Sequence, residues 1–282
     1  MAFSSVHIIG PGALGLGLAV DLASRRLAVS VSGRAGALAR GEACVGGRWR
    51  SASFALRPEP GSLVVIAVKG PDMDGVICCP ATLGCSAVLL LRNGLASKPE
   101  LPCPTVDGVV WACAWRDRDG RAIWRGSTAI DLPDDALGRN LAELLNGENV
   151  EARLVPSIEK VRFRKLMVNA GVNPLSALWR SDCRTLASRP EVVAEATAIA
   201  AEVKGLAAAA GVMVEDDPAA LVASALAGMG DFTPSMEQDR ATGRPLELKA
   251  IVDAPLQMAA ALKMEMPVLA SLRARLLQRL AH

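Results

Sequence analysis

The apolar run Val6-His7-Ile8-Ile9 stops at Gly10-Pro11-Gly12-Ala13-Leu14-Gly15, and apolar residues then recur with helical spacing at Leu14, Leu18, Ala19, Leu22 and Ala23. A buried strand, a glycine turn and a helix in that order admit few folds. Gly10 allows the tight turn, Gly12 lets a ligand approach bare backbone, and Gly15 lets the helix pack against its strand. The first turn of such a helix offers N–H groups without intrahelical partners, together with the positive end of the helix dipole. These features predict a pyrophosphate, and so a dinucleotide, bound at Gly10, Gly12, Ala13, Leu14 and Gly15. A glycine turn with a purely structural purpose is the competing reading.

About twenty residues further on, an acidic side chain would hold the ribose hydroxyls of NAD. The second strand, Ala28–Ser32, ends instead in Ser32-Gly33-Arg34, and no carboxylate occurs between Asp21 and Glu42. A small hydroxyl and a permanently charged, forked guanidinium suit a 2′-phosphate. Ser32 and Arg34 therefore point to NADPH, with a solvated loop arginine as the alternative for Arg34.

The 282 residues are enough for two domains with separate cores. A net charge of +2, with the charged residues dispersed, implies no nucleic-acid partner. No apolar run is long enough to cross a membrane, and the N-terminus enters a strand without a leader pattern. The expectation is a soluble, cytoplasmic protein. Seven cysteines, among them the adjacent Cys78 and Cys79, show no CxxC spacing and have only His7 and His282 as imidazole partners. Buried thiols rather than a metal site are expected. The chain has no tyrosine, and its two histidines lie in the first strand and at the last position. If a carbonyl is reduced here, lysine is the leading proton donor.

Up to residue 155, short β-rich runs alternate with helical ones, as in a doubly wound α/β sheet. Leu63–Val68 and Ala87–Leu91 read as buried parallel strands, followed by Lys69-Gly70-Pro71 and Arg92-Asn93-Gly94. Ligands bind beyond the carboxyl ends of such strands, which puts Lys69 and Asn93 where the cofactor's reactive end should lie. A solvated lysine and a turn-forming Asn-Gly are the plainer alternatives. Further strands are expected at Thr105–Trp111, Ala122–Trp124, Ser127–Leu132 and Val150–Val155, and a helix at Asp134–Leu145. The fold class is thus α/β: a Rossmann-type dinucleotide-binding domain over 1–155, then an all-α domain over 156–282. Helices are expected at Glu159–Val172, Glu191–Ala210, Pro218–Ala227, Leu246–Lys263 and Pro267–Leu280.

On the first of these helices Lys165, Asn169 and Asn173 recur every four residues and form a polar stripe, with a solvated Lys165 and an Asn173 that caps the following helix as the plainer alternatives. Pro174 disfavours helical geometry at Asn173, so the helix should end there. Downstream, Ser235-Met236-Glu237-Gln238-Asp239 and Gly243-Arg244-Pro245-Leu246-Glu247 read as a loop feeding another helix, with surface or capping carboxylates as the plainer reading of Asp239 and Glu247.

Taken in order, the glycine turn, Val68-Lys69, Asn93-Gly94, Lys165-Leu166-x-x-Asn169, Asn173-Pro174-Leu175-Ser176-Ala177-Leu178, Ser235-Met236 with Gln238-Asp239, and Gly243-Arg244 before Glu247 resemble the ketopantoate (2-dehydropantoate) reductases along nearly the whole chain. The resemblance implies NADPH-dependent reduction of a small-molecule 2-oxo acid, 2-dehydropantoate, to pantoate. It implies Lys165 as general acid and Glu247 as the carboxylate that engages a substrate hydroxyl and helps hold that lysine. It further implies Asn93 near both nicotinamide and substrate, Lys69 on the cofactor side, and Asn169, Asn173 and Ser235 lining the substrate pocket.

Two segments depart from the family pattern. Trp179-Arg180-Ser181-Asp182-Cys183-Arg184 replaces a glycine- or asparagine-containing turn, and its arginines could bind a carboxylate or line the surface. Val252-Asp253-Ala254-Pro255 replaces an Asn-Gly, and Pro255 should kink or interrupt its helix. A reductase of a different branched 2-oxo acid and a non-catalytic NADP-binding protein are the alternatives. The apolar helical half leaves homodimer formation open.

Overall fold

Ser5–Ile9 (β1) carries five consecutive buried residues, the pattern of a strand covered on both faces. The computed structural model describes residues 3–69, 76, 84–95 and 99–281. Gly70, Pro71, Cys78, Cys79 and His282 lie outside the described residues. The chain divides into two compact units: Met1–Arg92 with Ser97–Ile158, and Asn93–Ala96 with Glu159–His282.

In the first unit, β1 leads through Gly12 into helix α1 (Ala13–Ser24). The strands that follow are β2 (Ala28–Gly33), β3 (Gly36–Ala37), β4 (Arg40–Val45), β5 (Arg48–Ser53), β6 (Leu63–Ile66) and β7 (Ala87–Leu91). Then come β8 (Thr105–Arg116), β9 (Ala122–Pro133), α2 (Ala136–Leu145) and β10 (Val150–Val155). The sheet order is β3-β2-β1-β6-β7-β8-β9-β4-β5, and β10 also pairs with β9. β2, β1, β6, β7 and β8 run parallel. Chain order reverses at β1, with β2 on one side and β6 on the other, so a topological switch point lies at the carboxyl end of β1, where Gly10 sits.

Some boundaries differ from expectation. Ala122–Trp124 and Ser127–Leu132 form one strand, β9, because antiparallel pairing with β8 carries the ladder across Gly126. β8 itself runs on to Arg116, and the hairpin of β4 and β5 was not anticipated. The core lies between α1 and the sheet, where Leu18, Leu22, Val65, Leu89 and Ile130 are buried. Each such side chain contributes roughly 1.5–3 kcal/mol on burial. The guanidinium of Arg25, just past α1, donates to the carbonyls of Leu145 (3.0 Å) and Asn146 (2.7 Å) and pairs with the buried Asp21. A cation thus sits at the negative end of α2.

The second unit is helical: α3 (Ile158–Trp179), α4 (Cys183–Ala187), α5 (Pro190–Ala209), α6 (Pro218–Met229) and α7 (Ser235–Ala241). A wide π-type turn at Lys249–Asp253 then feeds α8 (Ala254–Ala261), and α9 (Pro267–Leu280) closes the chain. Ser235–Ala241 is therefore a helix and not the expected loop. α3 does not stop at Asn173 but continues through Pro174 for another turn and a half. An interior proline costs about 3 kcal/mol. Burial of Leu175, Ser176 and Ala177 offsets this, and the Ser176 hydroxyl donates to the Asn173 carbonyl at 2.7 Å. α3 and α5 cross closely at Gly171, where an added Cβ would lie 3.1 Å from the Ala196 Cα.

Among the described residues, no helix is long and apolar enough to cross a membrane, and no cluster of three His, Cys, Asp or Glu could hold a metal. Of the described cysteines only Cys183 is buried; Cys44, Cys85, Cys103 and Cys113 are half-buried, so the expectation of buried thiols holds for one position only.

Candidate active site

Gly10 turns the chain from β1 to α1 at a place with no room for a side chain: an added Cβ would lie 2.7 Å from the Ala67 carbonyl oxygen. At Gly15 it would lie 2.1 Å from the Gly10 oxygen, so the helix can start against its own turn only with glycine there. Gly12 is different, since a Cβ there would meet nothing within 4 Å. It caps α1 with no side-chain hydrogen bond. The N–H groups of Ala13, Leu14 and Gly15 thus occupy helix positions that lack intrahelical acceptors, beside open backbone. Arg116, at the end of β8, donates to the Pro11 carbonyl and holds the turn from the far side. It lies 105 positions from Pro11, and nothing local in the sequence marks it.

Ser32, at the carboxyl end of β2, is half-buried, and its hydroxyl is 3.0 Å from His7 Nε2. The other imidazole nitrogen is 2.8 Å from the Ser30 hydroxyl. His7 thus ties β1 to β2 from within the sheet, and burial holds its pKa below the ordinary value. The parallel register that sets His7 beside Ser30 and Ile9 beside Ser32 is the signal that could have found this pair. Arg34 is exposed in the two-residue turn between β2 and β3. Lys69 is half-buried three residues past β6, on the edge of the sheet that carries Gly10.

In the second unit, Asn93 joins two charged groups far apart in sequence. Lys165 Nζ, on α3, donates to Asn93 Oδ1 at 2.8 Å, and Asn93 Nδ2 donates to Glu247 Oε2 at 3.2 Å. Only one orientation of the amide serves both neighbours, because an ammonium can only donate and a carboxylate can only accept. Lys165 is half-buried, whereas Glu247, just ahead of the π-type turn, is only 5% exposed.

Asn93 is fixed through its chain neighbours. The Leu95 N–H donates to the Ala250 carbonyl at 3.1 Å, and Arg162 Nη2 donates to the Gly94 carbonyl at 3.3 Å. An added Cβ on Gly94 would lie 2.0 Å from that same Ala250 oxygen, so the approach requires glycine. The π-type turn explains why the oxygen is available. In its wide register the Ala254 N–H bonds to the Lys249 carbonyl. The next donor in that register would be Pro255, which has no N–H. Pro255 therefore does interrupt the helix, and the interruption leaves Ala250 to hold the Asn93 turn.

The other expected residues are placed as follows. Asn169 is half-buried and Asn173 buried along α3, and Ser235 is half-buried as the first residue of α7. Trp179 lies fourteen residues beyond Lys165 on the helix, about 21 Å along its axis. The Arg189 guanidinium stacks 4.6 Å from the centre of the Trp179 ring, Asp182 caps α4, and Arg180 and Arg184 are exposed.

Residues 6–136 match the family described as ketopantoate reductase PanE/ApbA, and residues 157–279 match its C-terminal part. The 2-dehydropantoate 2-reductase of Pyrobaculum aerophilum is 30% identical over 207 residues, 72% of each chain. In structure the chain is similar to a dimeric ketopantoate reductase from Staphylococcus aureus, with 23% identity, a TM-score of 0.82, and 97% of this chain and 99% of that one covered. It is also similar in fold to D-mandelate dehydrogenase in complex with NADH and anilino(oxo)acetate, with 18% identity, a TM-score of 0.87 and 98% of each chain covered.

Proposed function

Since this chain belongs to the ketopantoate reductase family, we propose that it reduces 2-dehydropantoate to pantoate with NADPH, and that Lys165 is the proton donor. The observation that carries the proposal is the Asn93 amide bonded at once to Lys165 and Glu247. As a ketone is reduced, negative charge grows on its oxygen, and a neighbouring ammonium both stabilises that charge and delivers the proton. The bond to Asn93 Oδ1 orients Nζ and leaves the ammonium further donors for the carbonyl oxygen. Glu247, anchored through Oε2, is assigned to accept from a substrate hydroxyl, while Asn169, Asn173 and Ser235 are assigned to line the pocket.

The glycine turn fits a dinucleotide, because the bare backbone at Gly12 and the uncapped start of α1 leave room and donors for a pyrophosphate. Gly10, Gly12, Ala13, Leu14 and Gly15 would hold it there, Ser32 and Arg34 would take the 2′-phosphate, and Lys69 and Asn93 are each assigned to the nicotinamide end. The cofactor supplies the hydride when bound. A homodimer is part of the proposal, in keeping with the dimeric Staphylococcus aureus protein.

A second reading, a reductase of another 2-oxo acid, draws on the likeness to D-mandelate dehydrogenase with anilino(oxo)acetate. A non-catalytic NADP-binding role would give the Lys165–Asn93–Glu247 chain no task. A panel of 2-oxo acids assayed by NADPH oxidation tests the choice. 2-Dehydropantoate should give the highest kcat/KM, and NADPH should be preferred over NADH by roughly 10- to 100-fold, the worth of one charge-assisted hydrogen bond. Inactivity on 2-dehydropantoate together with turnover of another 2-oxo acid would decide for the second reading.

A further inference from the structure

Cys85 stands two residues before β7, and Cys103 two residues before β8. The two strands are parallel neighbours, with Val88 opposite Thr105, and the Val88 N–H donates to the Pro104 carbonyl at 2.8 Å. Neighbouring strands lie about 4.8 Å apart. Disulfides join Cα atoms about 4.4–6.8 Å apart, a span that the spacing of neighbouring strands matches. The side chains turn toward each other, with the sulfurs 2.9 Å apart, and both residues are half-buried, within reach of a small reagent. Neither cysteine has a part in the reaction proposed above.

We propose that Cys85 and Cys103 are a modification site: they form a reversible intramolecular disulfide, with a low-molecular-weight disulfide such as oxidised glutathione as the oxidant. Cys103 loses its proton to solvent and its thiolate attacks one sulfur of the reagent. The reagent's S–S bond breaks, and the first reagent thiolate leaves and takes up a proton. Cys85 then loses its proton and attacks the Cys103 sulfur of the mixed disulfide, forming the Cys85–Cys103 bond and releasing the second reagent thiol. Two protein thiols are oxidised by two electrons in all, and one reagent disulfide is reduced to two thiols. Burial and the neighbouring Cys103 push the pKa of the Cys85 thiol up to about 12, which makes it the poorer first nucleophile. The bond closes the stretch that contains β7 and fastens the amino ends of two core strands.

The test treats the full chain with oxidised glutathione, alkylates the remaining thiols, and maps the peptides by mass. The expected product is a Cys85–Cys103 cross-link without retained glutathione, reversed by dithiothreitol. The melting temperature should rise by roughly 5–10 °C, the amount expected for a loop of this length in a chain of this size. In Cys85→Ser, glutathione should stay on Cys103; in Cys103→Ser, the cross-link and the stabilisation should both vanish. Stable glutathione adducts in place of the cross-link, unmodified Cys85 and Cys103, or a bridge from either of them to Cys78 or Cys79 would overturn the proposal.

Discussion

Asn93 does its work through the two ends of one amide. Its oxygen faces an ammonium and its nitrogen a carboxylate, so the flipped orientation would set donor against donor and acceptor against acceptor. The sequence marked Asn93, Lys165 and Glu247 separately, by the strand end, the polar stripe and the family pattern. The bond that joins them was not legible, since it depends on elements 72 and 154 positions apart. His7 shows the reverse. Its place inside a strand is legible in the sequence, but its two serine partners emerge only once β2 is registered against β1. Burial holds its pKa below 6.5, so the folded chain keeps the ring neutral while the unfolded chain protonates first. This stability is fully present above pH 6.5 and is lost as pH falls from there through the lower folded value. The melting temperature should therefore drop more steeply below that pH in the wild type than in His7→Gln. Parallel profiles would remove His7 from the acid response.

At the scale of elements, prolines and glycines explain both the successes and the misses. Pro174 was expected to end a helix, and buried contacts beyond it keep the helix going. Pro255 was expected to interrupt one, and it does so with a wide turn that frees the Ala250 carbonyl for Leu95. Pro255→Ala would restore an N–H able to compete for that carbonyl and so loosen the Asn93 turn. With one hydrogen bond at stake, kcat should fall roughly 3- to 10-fold while NADPH affinity is retained and the melting temperature does not drop. An unchanged kcat would separate the wide turn from the chemistry. The hairpin of β4 and β5 is hard to see in the sequence although its turn is written in Gly46-Gly47, both at positive φ (60° and 73°). Arginines at positions 40, 48 and 50 hid the alternation in the flanking strands.

Across the whole molecule, the division into an α/β half and a helical half was legible because hydrophobic periodicity changes near residue 155. The grouping of Asn93–Ala96 with the helical unit was not, since it rests on contacts such as Leu95 to Ala250 that no local pattern announces. The proposed cofactor site and the proposed acid–base site each have an internal logic: open backbone at a helix start in one, an amide held between opposite charges in the other. The account stands on the second, and the turnover of Lys165→Ala with 2-dehydropantoate and NADPH tests it most directly. We predict that kcat falls by about 10²- to 10⁴-fold, the usual contribution of a positioned general acid, while the Kd for NADPH stays within about twofold. Turnover close to that of the wild type would contradict the assignment of the proton donor.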